Sequence, residues 1–243
     1  MTHRSHPTVG VLGGLGPDAT LDFFARLLRD TPAANDQDHL HLLIDNNPQV
    51  PDRNAAVAGT GPSPAPMLAE MARRLERAGA DFLVMPCNAA HAFQDAIEEA
   101  VSIPFVSIIT ETRDEVMRRF PKLRCAGVMA STGCLDAQLY QRAFGEEQVA
   151  VVVPEGPDRD TFMQVLYEIK SGDRSAHAKA TIQAVAAGLV DRGAEIIVAG
   201  CTEVPLVLDD SDIPCPSVSS TDVLVTQTIA KVREWAEGRS GTR

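Results

Sequence analysis

A chain of 243 residues, 44% of them apolar and 23% charged, is long enough to bury one large core or two smaller ones. Its formal net charge of -11 argues against a surface for nucleic acid or an anionic membrane, while leaving room for a local cationic cluster that takes an anionic substrate. No apolar run reaches the roughly 20 residues that cross a bilayer, and Met1 to Pro7 lacks the apolar core of a signal peptide, so a cytoplasmic location is expected.

Thr8 to Leu12 reads as a short apolar strand, turned sharply by Gly13-Gly14-Leu15-Gly16-Pro17. Pro17 suits the first position of a helix and Asp18 its first turn, and helical spacing continues to Leu28. Free backbone N–H groups in such a turn make an anion-binding design. Gly14-x-Gly16-x-x-Ala19 also fits a loose dinucleotide fingerprint. However, the next strand, Leu40 to Ile44, brings its acid, Asp45, rather late for a ribose contact. His39 and His41 flank Leu40 with no other ligand type nearby, so they read as solvent-facing histidines and not as a zinc site. The segment Asn46-Asn47-Pro48-Gln49-Val50-Pro51-Asp52-Arg53 is a loop at a strand end, where function often resides. Arg53 is either a fork for a carboxylate or a solvated surface residue. A Gly/Pro turn from Gly59 to Pro66 leads to an amphipathic helix, Met67 to Arg77.

The chain then presents a stretch that it contains twice. Gly79-Ala80-Asp81-Phe82-Leu83-Val84-Met85-Pro86-Cys87-Asn88 returns 114 residues later as Gly193-Ala194-Glu195-Ile196-Ile197-Val198-Ala199-Gly200-Cys201-Thr202. Each copy reads as a helix end with Gly at the exit, then a short buried strand with a cysteine just past its end. Helix from His91 to Ala100, strand from Ile103 to Ile108 and a polar-faced helix from Thr110 to Phe120 follow. The strand from Ala126 to Ala130 opens a second half. Gly127-Val128-Met129-Ala130-Ser131-Thr132-Gly133 echoes residues 10–16 at an offset of 117, and Ile213-Pro214-Cys215-Pro216-Ser217-Val218 echoes residues 103–108 at an offset of 110. The last helix, Asp222 to Glu237, has no repeat partner and is expected to pack back on the first half, with a frayed tail from Gly238 to Arg243.

A duplicated unit of short apolar strands alternating with helices predicts an α/β fold of two similar parallel-sheet lobes related by a pseudo-two-fold axis. The expected division is residues 1–112 plus 222–243 for the lobe carrying Cys87, and 113–221 for the lobe carrying Cys201. Ligands bind at the carboxyl ends of strands in such sheets, so the two thiols would face one cleft. A thiolate on one side of a carbon centre and a thiol on the other can remove and return a proton without a metal. Five cysteines at wide spacings do not make a disulfide framework. Cys125 and Cys215 read as small buried apolar residues.

These motifs resemble those of the aspartate/glutamate racemase family, the cofactor-independent amino-acid racemases. Gly13-Gly14-Leu15-Gly16-Pro17-Asp18-Ala19-Thr20, the loop ending in Arg53, Pro86-Cys87-Asn88 and Gly200-Cys201-Thr202-Glu203 carry the resemblance, which runs from about Val9 into the last helix. It implies an isomerase that needs no pyridoxal phosphate or other cofactor and no metal, with Cys87 and Cys201 as the two acid–base groups. Arg53 would bind a substrate carboxylate and Lys170 would be a second cationic contact. Asn47, Asn88, Thr132 and Thr202 would bind or orient the substrate, and Glu203 marks the aspartate branch and joins the substrate contacts. The implied partner is an acidic amino acid, most simply aspartate, bound by a homodimer. Two positions depart from the family pattern: Ala89 where a threonine is usual, and Cys134 where the second turn usually carries threonine. The rival readings are a maleate isomerase, hydantoin racemase or decarboxylase on the same fold, a dicarboxylate- or nucleotide-binding module without chemistry, and a thiol redox protein.

Overall fold

The computed structural model describes residues 6–208 and 210–240. The repeated Gly-Ala-acid triplet explains how each lobe is built. Gly79 and Gly193 close their helices at φ 99° and 97°, a left-handed conformation that favours glycine. The following alanine amides, at Ala80 and Ala194, donate back to the carbonyls of Leu75 and Leu189. The acidic residue then pins the start of the neighbouring strand. Asp81 Oδ2 accepts from the Thr8 amide at 2.7 Å, and Glu195 Oε2 accepts from the Arg124 amide at 3.1 Å.

The strands so anchored are β1 (Thr8–Gly13) beside β3 (Phe82–Val84), and β5 (Cys125–Met129) beside β7 (Ile196–Ala199). With β2 (His41–Asn46) and β4 (Phe105–Val106), the first sheet has the order β2-β1-β3-β4. With β6 (Ala150–Val152) and β8 (Ser217–Ser219), the second has the order β6-β5-β7-β8. All pairings are parallel. Gly10 stands opposite Leu83 and Gly127 opposite Ile197, so the 117- and 114-residue echoes fall in matching register. β1 and β5 are apolar after their first residues and buried there because helices cover both faces.

The helices are α1 (Pro17–Asp30), α2 (Arg53–Val57), α3 (Ala65–Arg77), α4 (Gln94–Glu98), α5 (Ile108–Arg119), α6 (Thr132–Asp136), α7 (Leu139–Glu146), α8 (Gly156–Lys170), α9 (Ala176–Asp191) and α10 (Ser220–Ser240). One central core joins Val9, Phe23 and Val84 of the first half to Val128, Tyr140 and Val198 of the second. Outer cores lie under α3 and between α8 and α9. As expected, α10 returns to the first half, against α1 and α5. The division expected between residues 112 and 113 falls inside α5, whose apolar side belongs to the shared core.

Three local expectations differ. The strand expected over residues 103–108 is reduced to Phe105–Val106. Pro104 has no amide to donate, and Ser107 already stands as the cap of α5. The helix expected from His91 is a 3₁₀ turn, Ala89–Phe93, broken at Phe93 before α4. The loop ending at Arg53 passes into α2, which Asp52 caps by accepting the Ala55 amide at 2.8 Å. The backbone of α10 stays helical to Ser240. The rest of the tail expected to fray, residues 241–243, lies outside the described residues, as do residues 1–5 of the opening segment. Among the described residues, no helix is long and apolar enough to cross a membrane.

Candidate active site

β3 and β7 end in the same way, and the chain after each turns toward the other lobe. Cys87 and Cys201, each 6% exposed, come to line one cavity between the lobes. Asn88 and Ala89 follow Cys87 along its wall, and Thr202 and Glu203 follow Cys201. The cavity offers about 20 Å³ to the centre of a water molecule, enough for one water.

The two thiols have different partners. The Cys201 S–H donates to Glu203 Oε2 at 2.9 Å. The other carboxylate oxygen of Glu203 takes the Lys170 ammonium at 2.8 Å, with both side chains largely withdrawn from solvent. Burial pushes the Cys201 thiol well above its ordinary range, the Glu203 charge adds to that, and Lys170 opposes it. Burial works against the Lys170 charge, but Glu203 and the two site cysteines outweigh it and hold the ammonium more firmly protonated than usual. On the other side, His91 Nδ1 bonds the Cys87 carbonyl at 2.8 Å while Nε2 accepts the Ile108 amide at 3.2 Å. An acceptor Nε2 requires the neutral Nδ1–H tautomer. Burial agrees, pushing the His91 pKa down to about 4.

Arg53, at the first turn of α2, also lines the cavity. Its guanidinium reaches back to the carbonyls of Val50, Pro51 and Leu15 at 3.2, 3.1 and 2.9 Å. These bonds fix the fork without neutralising it. Gly16 lets the first-lobe turn approach the second lobe, since a Cβ there would stand 2.9 Å from Glu203 Oε1. The turn is less open to an anion than its glycines suggest, because the Gly14 amide already donates to Thr20 Oγ1 at 2.9 Å.

Of the residues singled out in the sequence, Arg53, Cys87, Asn88, Lys170, Cys201, Thr202 and Glu203 meet at this cavity. Asn47 and Thr132 do not line it. The Asn47 side chain accepts the Gln49 amide within its own loop. The Thr132 hydroxyl receives Arg159 Nε at 3.3 Å, and its neighbour Ser131 takes the wall position. Ala89 does face the cavity, so the absent threonine hydroxyl is absent from the site itself. Cys134 is fully buried, and burial first, with the Cys87 charge second, holds its thiol protonated. Among the described residues, no group of three or more His, Cys, Asp or Glu side chains is placed to hold a metal ion.

Sequence reasoning missed Asn54 and the wall made by α8. Asn54 spans the cleft, accepting the Gly133 amide at 2.8 Å and donating to the Tyr167 hydroxyl at 3.1 Å. Met163, Leu166, Tyr167 and Lys170 line one side. Their spacing of i, i+3, i+4 and i+7 is one face of a helix, a signal that was present in the sequence around Lys170.

The racemase likeness extends over most of the chain. The profile of the Asp/Glu/Hydantoin racemase family matches residues 12–228. The chain is 26% identical to the broad specificity amino-acid racemase RacX of Bacillus subtilis (strain 168), over 91% of this chain and 96% of that one. The fold superposes on the aspartate racemase of Picrophilus torridus with a TM-score of 0.83 at 25% identity, covering 93% and 94% of the two chains. It also superposes on a glutamate racemase isoform of Bacillus anthracis with a TM-score of 0.70 at 20% identity, covering 95% and 83%. On the family match, which covers most of its length, the chain belongs to the Asp/Glu/Hydantoin racemase family.

Proposed function

We propose that this protein racemises a free amino acid by a two-base mechanism in which Cys87 and Cys201 carry the protons. The observation that supports it is the meeting of the two thiols at one cavity from equivalent strand ends of two repeated lobes. One cysteine, as thiolate, takes the α-proton. The C–H bond breaks, and its electron pair delocalises into the carboxylate. The other cysteine delivers its S–H proton to the opposite face, which forms the mirror-image amino acid and leaves the second sulfur as thiolate. The reverse reaction exchanges the roles. Arg53 holds the carboxylate as it gains charge, with the Asn88 amide and the Thr202 hydroxyl as neutral contacts, a preorganised electrostatic arrangement.

Aspartate is the first substrate to test, on the strength of the Glu203 branch pattern and the likeness to an aspartate racemase. The charges make it a demanding one. Lys170 is paired with Glu203, so a side-chain carboxylate must compete for that ammonium, whereas an α-carboxylate can take Arg53. Neutral amino acids therefore belong in the same panel, in keeping with the likeness to a broad specificity racemase.

The test is exchange of the α-proton in D₂O, followed by NMR with chiral chromatography, for both enantiomers of aspartate, glutamate and a set of neutral amino acids. The expected result is deuterium incorporation with inversion, lowered about 10²-fold or more in Cys87→Ser and in Cys201→Ser. Inversion that survives either substitution would sink the two-cysteine mechanism. An absence of exchange across the whole panel would sink the amino-acid substrate.

A further inference from the structure

We propose that Tyr140, on α7, is a positioning residue that fixes the Asn88 amide as a hydrogen-bond donor toward the substrate and sets the spacing of the two cysteine turns. This rests on the two-cysteine reading above. Tyr140 is fully buried and lies outside the cavity wall, yet it touches both turns. Its hydroxyl donates to Asn88 Oδ1 at 2.6 Å, immediately after Cys87. Its ring lies against Gly200, immediately before Cys201, where a Cβ would come within 2.8 Å of Cε2. The first copy of the repeat has Pro86 at that position. The second copy has glycine because the tyrosine ring occupies the space of a side chain.

The polarity of this cluster is set by a single backbone carbonyl. The Ala199 carbonyl can only accept, and it takes the Ser220 hydroxyl proton at 2.9 Å. Ser220 Oγ therefore has lone pairs, and no proton, for the Asn88 amide, and accepts Nδ2–H at 3.0 Å. With Nδ2 committed to Ser220, Oδ1 must face Tyr140, which donates. Thr112, the other hydroxyl near the phenol, spends its proton on the Ile108 carbonyl at 2.6 Å. A flipped Asn88 would set its oxygen against the lone pairs of Ser220. The amide is thus locked, and its second N–H is left for the cavity that Asn88 lines. A substrate carboxylate meets a donor there; the flipped amide would present an oxygen and repel it.

The test is Tyr140→Phe, which keeps the ring against Gly200 and removes only the hydroxyl. It is measured alone and in an Asn88→Ala background, together with the side-chain ¹⁵N–¹H signals of Asn88, identified by their loss in Asn88→Ala. Tyr140→Phe is expected to lower kcat/KM about 10-fold, to shift the Asn88 pair, and to have no further effect once Asn88 is alanine. A purely structural tyrosine would lower activity equally in both backgrounds, and that result overturns the proposal. So does an Asn88 pair unchanged by Tyr140→Phe. The NMR readout needs no turnover. An inactive wild-type protein would therefore count against the racemase reading while the lock is still judged by the Asn88 signals.

Discussion

The two cysteine turns share a scaffold and differ in almost every polar contact. Before the cysteines, the lobes follow the same logic: a left-handed glycine, an alanine under the central strand, and an acid whose side chain holds a backbone amide at the start of that strand, Thr8 in the first lobe and Arg124, one residue ahead of β5, in the second. After them, the first turn runs into a buried neutral histidine that holds the Cys87 carbonyl, and the second into a carboxylate that takes the Cys201 S–H and is itself paired with Lys170 of α8. At the repeat offset of 114, His91 corresponds to Pro205. Duplication supplied two equivalent strand ends. The chemistry then diverged within five residues of each cysteine, so Cys201 is held as a thiol beside a negative charge while, among the described residues, no carboxylate bonds Cys87.

The largest effect follows from removing that asymmetry. Glu203→Gln takes away the charge that keeps Cys201 protonated, leaves only a neutral amide oxygen to accept the S–H, and removes the carboxylate partner of Lys170. The Cys201 thiol should ionise at lower pH, and racemisation at neutral pH should fall about 10- to 100-fold, the worth of a charged hydrogen bond of about 1.5–3 kcal/mol. Thiolate absorbance against pH, in a Cys87→Ser background, reads the shift directly. Lys170→Met should move the same titration the opposite way. Movement in one common direction for both variants would break the claim that the two residues act on Cys201 with opposite sign.

How much of this was legible beforehand depended on whether the signal was periodic or contextual. The repeat exposed both lobes, their parallel sheets and the convergence of Cys87 and Cys201, because identical local patterns under the same packing constraints give identical registers. The 3.6-residue face of α8 would have added Met163, Leu166 and Tyr167 to Lys170. Nothing in the sequence marks Tyr140 or Asn54, whose roles come from partners 52 and 113 residues away. The same holds in reverse for Asn47 and Thr132. Both are polar and both sit in motifs, yet loop-local bonds and Arg159 claim their side chains. Motif position identifies a turn, whereas the direction of a side chain is decided by tertiary neighbours.

His91 sharpens the comparison through stability. Its folded pKa of about 4 lies below the ordinary value near 6.5, so the unfolded chain binds more protons between those two values. The contribution of the neutral ring is complete above pH 6.5 and is lost as pH falls toward 4, amounting to about 3 kcal/mol. Denaturant unfolding of wild type and His91→Gln at several pH values between 4 and 7 should show the wild type losing that much more than the variant as the pH drops. Pro205 offers the second lobe no such group. Parallel pH profiles for the two proteins would show that His91 titrates as an ordinary histidine and that burial does not hold its ring neutral.

The smallest effect tests what the lobes have in common. A Cβ on Gly10 would meet Leu83, Ala80 and Leu75 at 2.6, 2.9 and 3.3 Å, and one on Gly127 would meet Ile197, Ala194 and Leu189 at 2.7, 2.9 and 3.2 Å. The nearest atom in each case is the end of a flexible side chain, but the second is an alanine Cβ fixed by the helix exit, so part of the strain cannot relax. Gly10→Ala and Gly127→Ala should each cost about 1–3 kcal/mol by overpacking, and the two costs should agree within about 0.5 kcal/mol. Because the central core runs through both lobes, each substitution should shift a single cooperative transition, read from the urea midpoint at unchanged slope. A large inequality would show that one lobe yields where the other does not. The near-identity of the two glycine sites would then be a likeness of geometry without a likeness of rigidity.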